Sequence, residues 1–156
     1  MKNTFYCLFL LFFLSCNKEN VLLDQNLRME KAEWNYMDNP SFSVDISDTN
    51  TTYSVFVNVR FEAEYNYSNL FFLFNVIMPD GTKKQERIEC ELFDKEGLPL
   101  GKGLGDLFFI RYRIPRISKL NQVGKYQFTL EQNMRIDHLK GIHDIGVRIE
   151  KNLIEN

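Results

Sequence analysis

Residues 51–78 read TTYSVFVNVRFEAEYNYSNLFFLFNVIM, and their pattern decides the fold class. Tyr53, Val55, Val57, Val59, Phe61, Ala63 and Tyr65 take every second position. Thr52, Ser54, Asn58, Arg60, Glu62 and Glu64 stand between them, and only Phe56 is out of step. A strand sends successive side chains to opposite faces, so this segment has one buried and one wet face. After the polar break Asn66-Tyr67-Ser68, residues Leu70 to Ile77 are apolar except for Asn75. That run predicts a neighbouring strand at a sheet centre, covered on both faces.

Working outward, further short strands appear on either side. Phe42, Val44 and Ile46 alternate with Ser41, Ser43 and Asp45, between the turn signals Asp38-Asn39-Pro40 and Asp48-Thr49-Asn50. Met78-Pro79-Asp80-Gly81 presets a tight turn, because proline fixes φ at its first corner and glycine accepts positive φ. Lys83 to Phe93 follows as a strand, then the turn Asp94-Lys95-Glu96-Gly97 and a glycine-rich connection from Leu98 to Gly105. Leu107 to Ile114 is strand-like and stops at Pro115, and Lys125 to Glu131 alternates again. Met134 to Leu139 predicts one helical turn, and Ile145, Val147 and Ile149 mark the last strand. Near the start, Val21-Leu22-Leu23 is an edge segment, and Trp34 is placed as a cap or rim residue of the core. The sum is about eight strands and no useful helical period. It predicts an all-β, antiparallel, jelly-roll-like β-sandwich over residues 34–156, preceded by a tether and edge segment over 16–33.

Residues 1–15 are read as a signal peptide. Lys2 gives a short positive start, and Phe5 to Leu14 is an apolar run too short to span a bilayer. Phe13-Leu14-Ser15-Cys16 resembles the lipobox of bacterial lipoproteins, with Phe13 where leucine is commonest, and implies that Cys16 receives diacylglycerol and further acyl chains such as palmitate. Two or three acyl chains anchor a protein to a membrane without a spanning helix. Asn17-Lys18-Glu19-Asn20 then reads as a solvated tether. With Cys7 in the leader and Cys16 acylated, Cys90 is alone, so no intramolecular disulfide is expected; its alternation with Ile88 and Leu92 makes it a small inward hydrophobe.

Chemistry is scarce. A net charge of −2 gives no footprint for nucleic acid. Gly101-Lys102-Gly103-Leu104-Gly105 fits neither phosphate-loop spacing and is read as a turn. His138 and His143 sit beside Asp137 and Asp144 without metal-ligand spacing and are read as surface-loop residues, so no metal is expected. Glu89 and Glu91 are the wet half of an alternating strand. Arg111, Arg113 and Arg116, with Lys119, form the one local basic cluster, an exposed strand face. Tyr65, Tyr67 and Tyr112 offer the only aromatic platform on which a carbohydrate-binding module would hold a sugar.

Several segments resemble the gliding-motility lipoprotein GldH family: Val59-Arg60 running to Tyr65-Asn66-Tyr67-Ser68-Asn69-Leu70, then Pro79-Asp80-Gly81 and the Asp94 to Gly105 region. Gln132-Asn133-Met134-Arg135, Leu139, Gly141-Ile142 and Asp144-Ile145-Gly146 complete the likeness. The resemblance implies a lipoprotein of the outer membrane, required for gliding over surfaces, working with the gliding motor and the type IX secretion apparatus. It carries over no catalytic residue, so a non-catalytic scaffold is expected, with no cofactor and no small-molecule ligand. Its partners are other envelope proteins, and Tyr65, Tyr67, Asn69, Arg111, Arg113, Met134 and Arg135 are the candidate contacts. Nothing in the residues chooses between the periplasmic and the cell-surface face.

Overall fold

The structure, a computed structural model, describes residues 20–115 and 120–152. The leader, Cys16, the tether up to residue 19, and Arg116 and Lys119 lie outside those residues. The strands are β1 (Val21–Arg28), β2 (Glu33–Asn35), β3 (Ser41–Ile46), β4 (Tyr53–Glu62), β5 (Asn69–Ile77), β6 (Lys83–Glu91), β7 (Lys102–Leu104), β8 (Leu107–Arg113), β9 (Gly124–Gln132), β10 (His138–Lys140) and β11 (Ile142–Lys151). Three of them, β2, β7 and β10, are three residues long. The other eight pair as nested antiparallel hairpins, β1 with β11, β3 with β9, β4 with β8 and β5 with β6. They lie in two sheets, β1-β11-β4-β8-β7 and β3-β9-β5-β6. That nesting, folded over into two layers, is the wiring of a jelly roll.

The alternation read from the sequence builds the interior. Val55, Val57, Val59 and Phe61 of β4 are fully buried, as are Leu70, Phe72, Phe74 and Val76 of β5, and Phe74 packs on Phe128 at 5.8 Å between ring centroids. The two segments of residues 51–78 are not neighbours in one sheet, however. β4 is central in the larger sheet and β5 is internal in the smaller, because the connection 63–68 crosses from one layer to the other. Nor is β5 sealed on both faces: Asn69, Phe71, Leu73, Asn75 and Ile77 are half-buried. Its outer aromatic is screened by a long polar side chain instead, with the Arg87 guanidinium 4.0 Å from the centroid of Phe71.

Three further expectations change. The glycine-rich connection contains β7, which forms a hairpin on Leu107–Phe109; Gly103 allows it, because a Cβ there would stand 2.3 Å from the Phe108 ring. Residues 134–139 form no helical turn. The Gln132 side chain accepts from Met134 N at 2.8 Å and donates to Ile136 O at 2.7 Å, holding bends that lead into β10. The segment at Val21 does pair at a sheet edge, but as an eight-residue strand of the sandwich that carries Leu23 into the core rather than as part of a tether. Trp34 is fully buried on β2, with Nε1 donating to Asp38 O at 2.8 Å, and β2 pairs with β10 to close one end of the sandwich.

The ends differ. At the entry end Asn20 O accepts from Lys151 N and Thr52 O from Asn152 N, beside the connections 47–52 and 78–82. The far end carries β2, β7 and β10 and the connections 29–40, 63–68, 92–106 and 133–141. Between the ends, the outer face of the larger sheet is tied by a polar row. Asn58, although on that outer face, is 1% exposed: Nδ2 donates to Asp24 at 2.9 Å and to Asn26 at 3.0 Å, and Oδ1 accepts from Arg111 at 3.1 Å. Asn26 and Asn58 reach each other across an intervening strand because the residue between them is Gly146. A Cβ on Gly146 would stand 2.1 Å from Asn26 Oδ1 and 2.3 Å from the Gln25 carbonyl. Gly146→Ala is therefore expected to cost about 1–3 kcal/mol by overpacking, read as a lower denaturant midpoint; an unchanged midpoint would show that the row does not tie β1 to the sheet.

Candidate docking end

The residues singled out from the sequence divide between two places. Tyr65, Tyr67, Asn69, Met134 and Arg135 come together at the far end. Tyr65 packs edge-on against Tyr67 at 5.6 Å, its hydroxyl donates to Asn69 O at 3.1 Å, and Met134 Sδ lies 3.3 Å from Phe71 N. Their roles differ, since Tyr65 is buried and Tyr67 and Arg135 are exposed. Burial raises the Tyr65 hydroxyl pKa, first through desolvation and then through the neighbouring Tyr67. Tyr65 is thus the support on which Tyr67 is displayed.

Arg111 and Arg113 lie elsewhere, on the outer face of β8. Arg111 is held by Asn58 and stands 3.8 Å from Asp24, and Arg113 donates to Ser54 Oγ at 3.3 Å. The same Asp24 also takes Arg148, which bonds Glu150 as well. These cations are partnered within one sheet face rather than offered as a basic patch.

The three tyrosines are not displayed together. Tyr65 is buried, while Tyr112 is half-buried and packs against the core from β8. The histidines stand on strands rather than in a loop, each with a carboxylate: His138 Nδ1 lies 2.7 Å from Glu33 and His143 Nε2 2.7 Å from Glu62. Among the described residues no group of three or more His, Cys, Asp or Glu side chains is placed to hold a metal ion. Cys90 is fully buried, and desolvation pushes its thiol up to about 12.

Nine large hydrophobic side chains stand exposed among the described residues, and only Val123 belongs to the entry end. Tyr36 and Met37 follow β2, Ile136 lies in the bend before β10, and Tyr36 N donates to Asp137 O at 2.9 Å, joining the two segments. Leu98 and Leu104 lie in the connection after β6 and in β7, and Ala63 N donates to Asp106 O at 2.8 Å, bringing the β7–β8 hairpin beside the segment that carries Tyr67. Apolar groups gathered at one end and interspersed with charge have the composition of a protein contact surface. Tyr36, Met37 and Ile136 were not singled out from the sequence. Their signal was present as apolar residues inside turn segments, which need an outside partner more than residues in an alternating strand do.

The family model described as GldH lipoprotein matches residues 21–149. The chain belongs to the GldH lipoprotein family. A gliding motility lipoprotein GldH homolog of Christiangramia forsetii is 31% identical over 149 residues, covering 91% of this chain and 90% of that protein. The gliding motility lipoprotein GldH of Flavobacterium johnsoniae is 26% identical over 144 residues, covering 88% of each. Among solved structures, a chain from infectious bursal disease virus strain Gx is similar at 16% identity and a TM-score of 0.34, covering 85% of this chain and 32% of that one. The GldH match takes in nearly every described strand, including the β4–β5 crossing and the far-end connections. In this GldH-family chain the Cys90 thiol is expected to resist Ellman's reagent at pH 8 in the native state and to react at once in denaturant, since its pKa falls to the ordinary range on unfolding. Rapid native labelling, located at Cys90 by peptide mass mapping, would contradict its burial.

Proposed function

We propose that this gliding-motility lipoprotein is a non-catalytic connector of the outer membrane. Its entry end sits against the bilayer through acyl chains on Cys16, and its far end docks onto envelope proteins of the gliding and type IX secretion machinery. The observation that carries this reading is the polarity of the sandwich: the described chain enters at one end, and all but Val123 of the nine exposed large apolar side chains among the described residues lie toward the other. Only four residue steps separate Cys16 from Asn20, so a fully extended tether reaches about 14 Å. A domain held that closely cannot turn its far end to the head groups without carrying its entry end away from them. The far end therefore addresses proteins rather than lipid, and confinement in the membrane plane raises the effective concentration of a partner in the same envelope.

The partnering of Arg111 and Arg113 moves the contact surface away from β8, and Tyr67, Met37 and Ile136 become its centre. Docking of this kind needs no reactive group, in keeping with a buried, protonated Cys90 and carboxylate-paired histidines. The sugar-binding alternative is left with Tyr67 alone. In cells that carry only the variant chain at normal abundance, Met37→Ser combined with Tyr67→Ala is expected to cut gliding speed at least several-fold. Val123→Ser at the entry end is expected to leave it unchanged, and Cys16→Ala to abolish lipid labelling and gliding together. Normal gliding of the Met37→Ser, Tyr67→Ala cells would refute the docking end, and glycan binding lost with Tyr67→Ala would favour the sugar-binding reading.

A further inference from the structure

The docking end has two halves of different charge. One joins residues 28–38 to 133–141 through the β2–β10 ladder and the Tyr36–Asp137 hydrogen bond, and it carries four carboxylates against four arginine and lysine side chains. The other joins residues 62–68 to 89–107. Ala63 N donates to Asp106 O at 2.8 Å, Leu92 N and Phe93 N both donate to Ser68 O, and Asn69 stands opposite Glu91. This half carries seven carboxylates against two lysines, Lys95 and Lys102. Four exposed hydrophobic side chains, Tyr67, Leu98, Leu100 and Leu104, belong to it.

The acidic half holds most of its charge outward. Glu64, Glu91, Glu96 and Asp106 are exposed, and among the described residues their side chains make no hydrogen bond or ion pair. Glu62 is paired with His143, and Glu89 accepts from Asn69 Nδ2 at 2.7 Å. The carboxylates border two grooves, one at each end of the crossing segment 63–68. Glu62, Glu64 and Asp106 flank Leu107 in the first, and Glu91, Asp94 and Glu96 flank Phe93 and Leu100 in the second. Tyr67 lies on the segment between them.

We propose that this half receives a partner protein segment in which lysine or arginine side chains stand beside apolar ones. The cations enter the two grooves, and the apolar groups cover Tyr67, Leu98 and Leu104. Repulsion among neighbouring carboxylates is relieved when cations settle between them. The charge is spread rather than focused: among the described residues no group of three or more His, Cys, Asp or Glu side chains is placed to hold a metal ion, which suits an extended, multiply charged partner. Exposed charge around an apolar contact sets partner choice and association rate more than final affinity, and this sign also turns away anionic head groups. The inference rests on the docking-end reading and adds to it the chemistry of the partner.

The test holds the full acylated chain in neutral phosphatidylcholine nanodiscs, with empty discs as the baseline. Three synthetic peptides of equal length are compared: alternating lysine and leucine, alternating glutamate and leucine, and alternating lysine and serine. The lysine–leucine peptide is expected to bind about tenfold more tightly than either of the others, and to weaken as salt rises. Combining Glu64→Gln, Glu91→Gln, Glu96→Gln and Asp106→Asn is expected to weaken it about tenfold. Glu30→Gln with Asp38→Asn, on the balanced half, is expected to leave it within about twofold. In cells, the chain with the four neutralised carboxylates is expected to glide more slowly than wild type. Equal binding of the three peptides, or equal losses in the two sets of variants, would overturn the inference. So would normal gliding of the neutralised chain where the Met37→Ser, Tyr67→Ala cells fail to glide, a result that removes the partner's charge and leaves the docking end standing.

Discussion

The ladder between the first and last long strands is the constraint on which the rest of the molecule depends. β1 and β11 run antiparallel from Leu23 opposite Ile149 to Arg28 opposite Asp144, closing the outermost of four nested hairpins and leaving Asn20 and Asn152 at the same end. With that pair formed, the inner hairpins stack as two layers, and the connections 29–40, 63–68, 92–106 and 133–141 fall at the opposite end. The ladder is reinforced where it is most vulnerable. β1 is an edge strand; Asp24 bonds Arg148 of the adjacent β11, and Asp24 and Asn26 reach over β11 to Asn58 and Arg111, a contact that the missing side chain of Gly146 makes room for.

This arrangement suits a chain held by its beginning. A pull on Asn20 directed away from the far end runs along the strand axis, so the β1–β11 hydrogen bonds are loaded together in shear rather than opened one after another. The polar row spreads the same load into β4 and β8. The domain is thereby braced along the line from its entry end to its far end.

How far the sequence disclosed this depended on the length and regularity of each segment. Seven of the eight long strands were legible, most of them because alternation over six to ten residues overdetermines a strand, as in Tyr53 to Phe61 or Lys125 to Glu131, whereas β1 does not alternate and showed only as the edge segment Val21-Leu22-Leu23. The three-residue strands were not, since β2, β7 and β10 are held by Trp34, Gly103 and the Gln132 side chain, contacts with residues distant in the chain or folded back upon it. The Leu70–Ile77 run misled in a particular way: apolar residues on both faces implied cover on both, whereas the outer face is half-buried and at Phe71 is screened by Arg87 from the next strand. Tyr65, Tyr67, Asn69, Met134 and Arg135 come together at the far end, but a linear reading could not separate the buried tyrosine from the displayed one. Nor could it show that Arg111 is spoken for by Asn58.

The central claim is orientational: the end where the chain enters faces lipid, and the end bearing Met37 and Tyr67 faces away. The most direct measurement places a single environment-sensitive fluorophore at Val123 or at Met37 of the acylated protein in vesicles and compares quenching by lipids spin-labelled at the head group. The account predicts strong quenching at Val123 and little at Met37. Equal quenching at the two positions, or the reverse order, would contradict it.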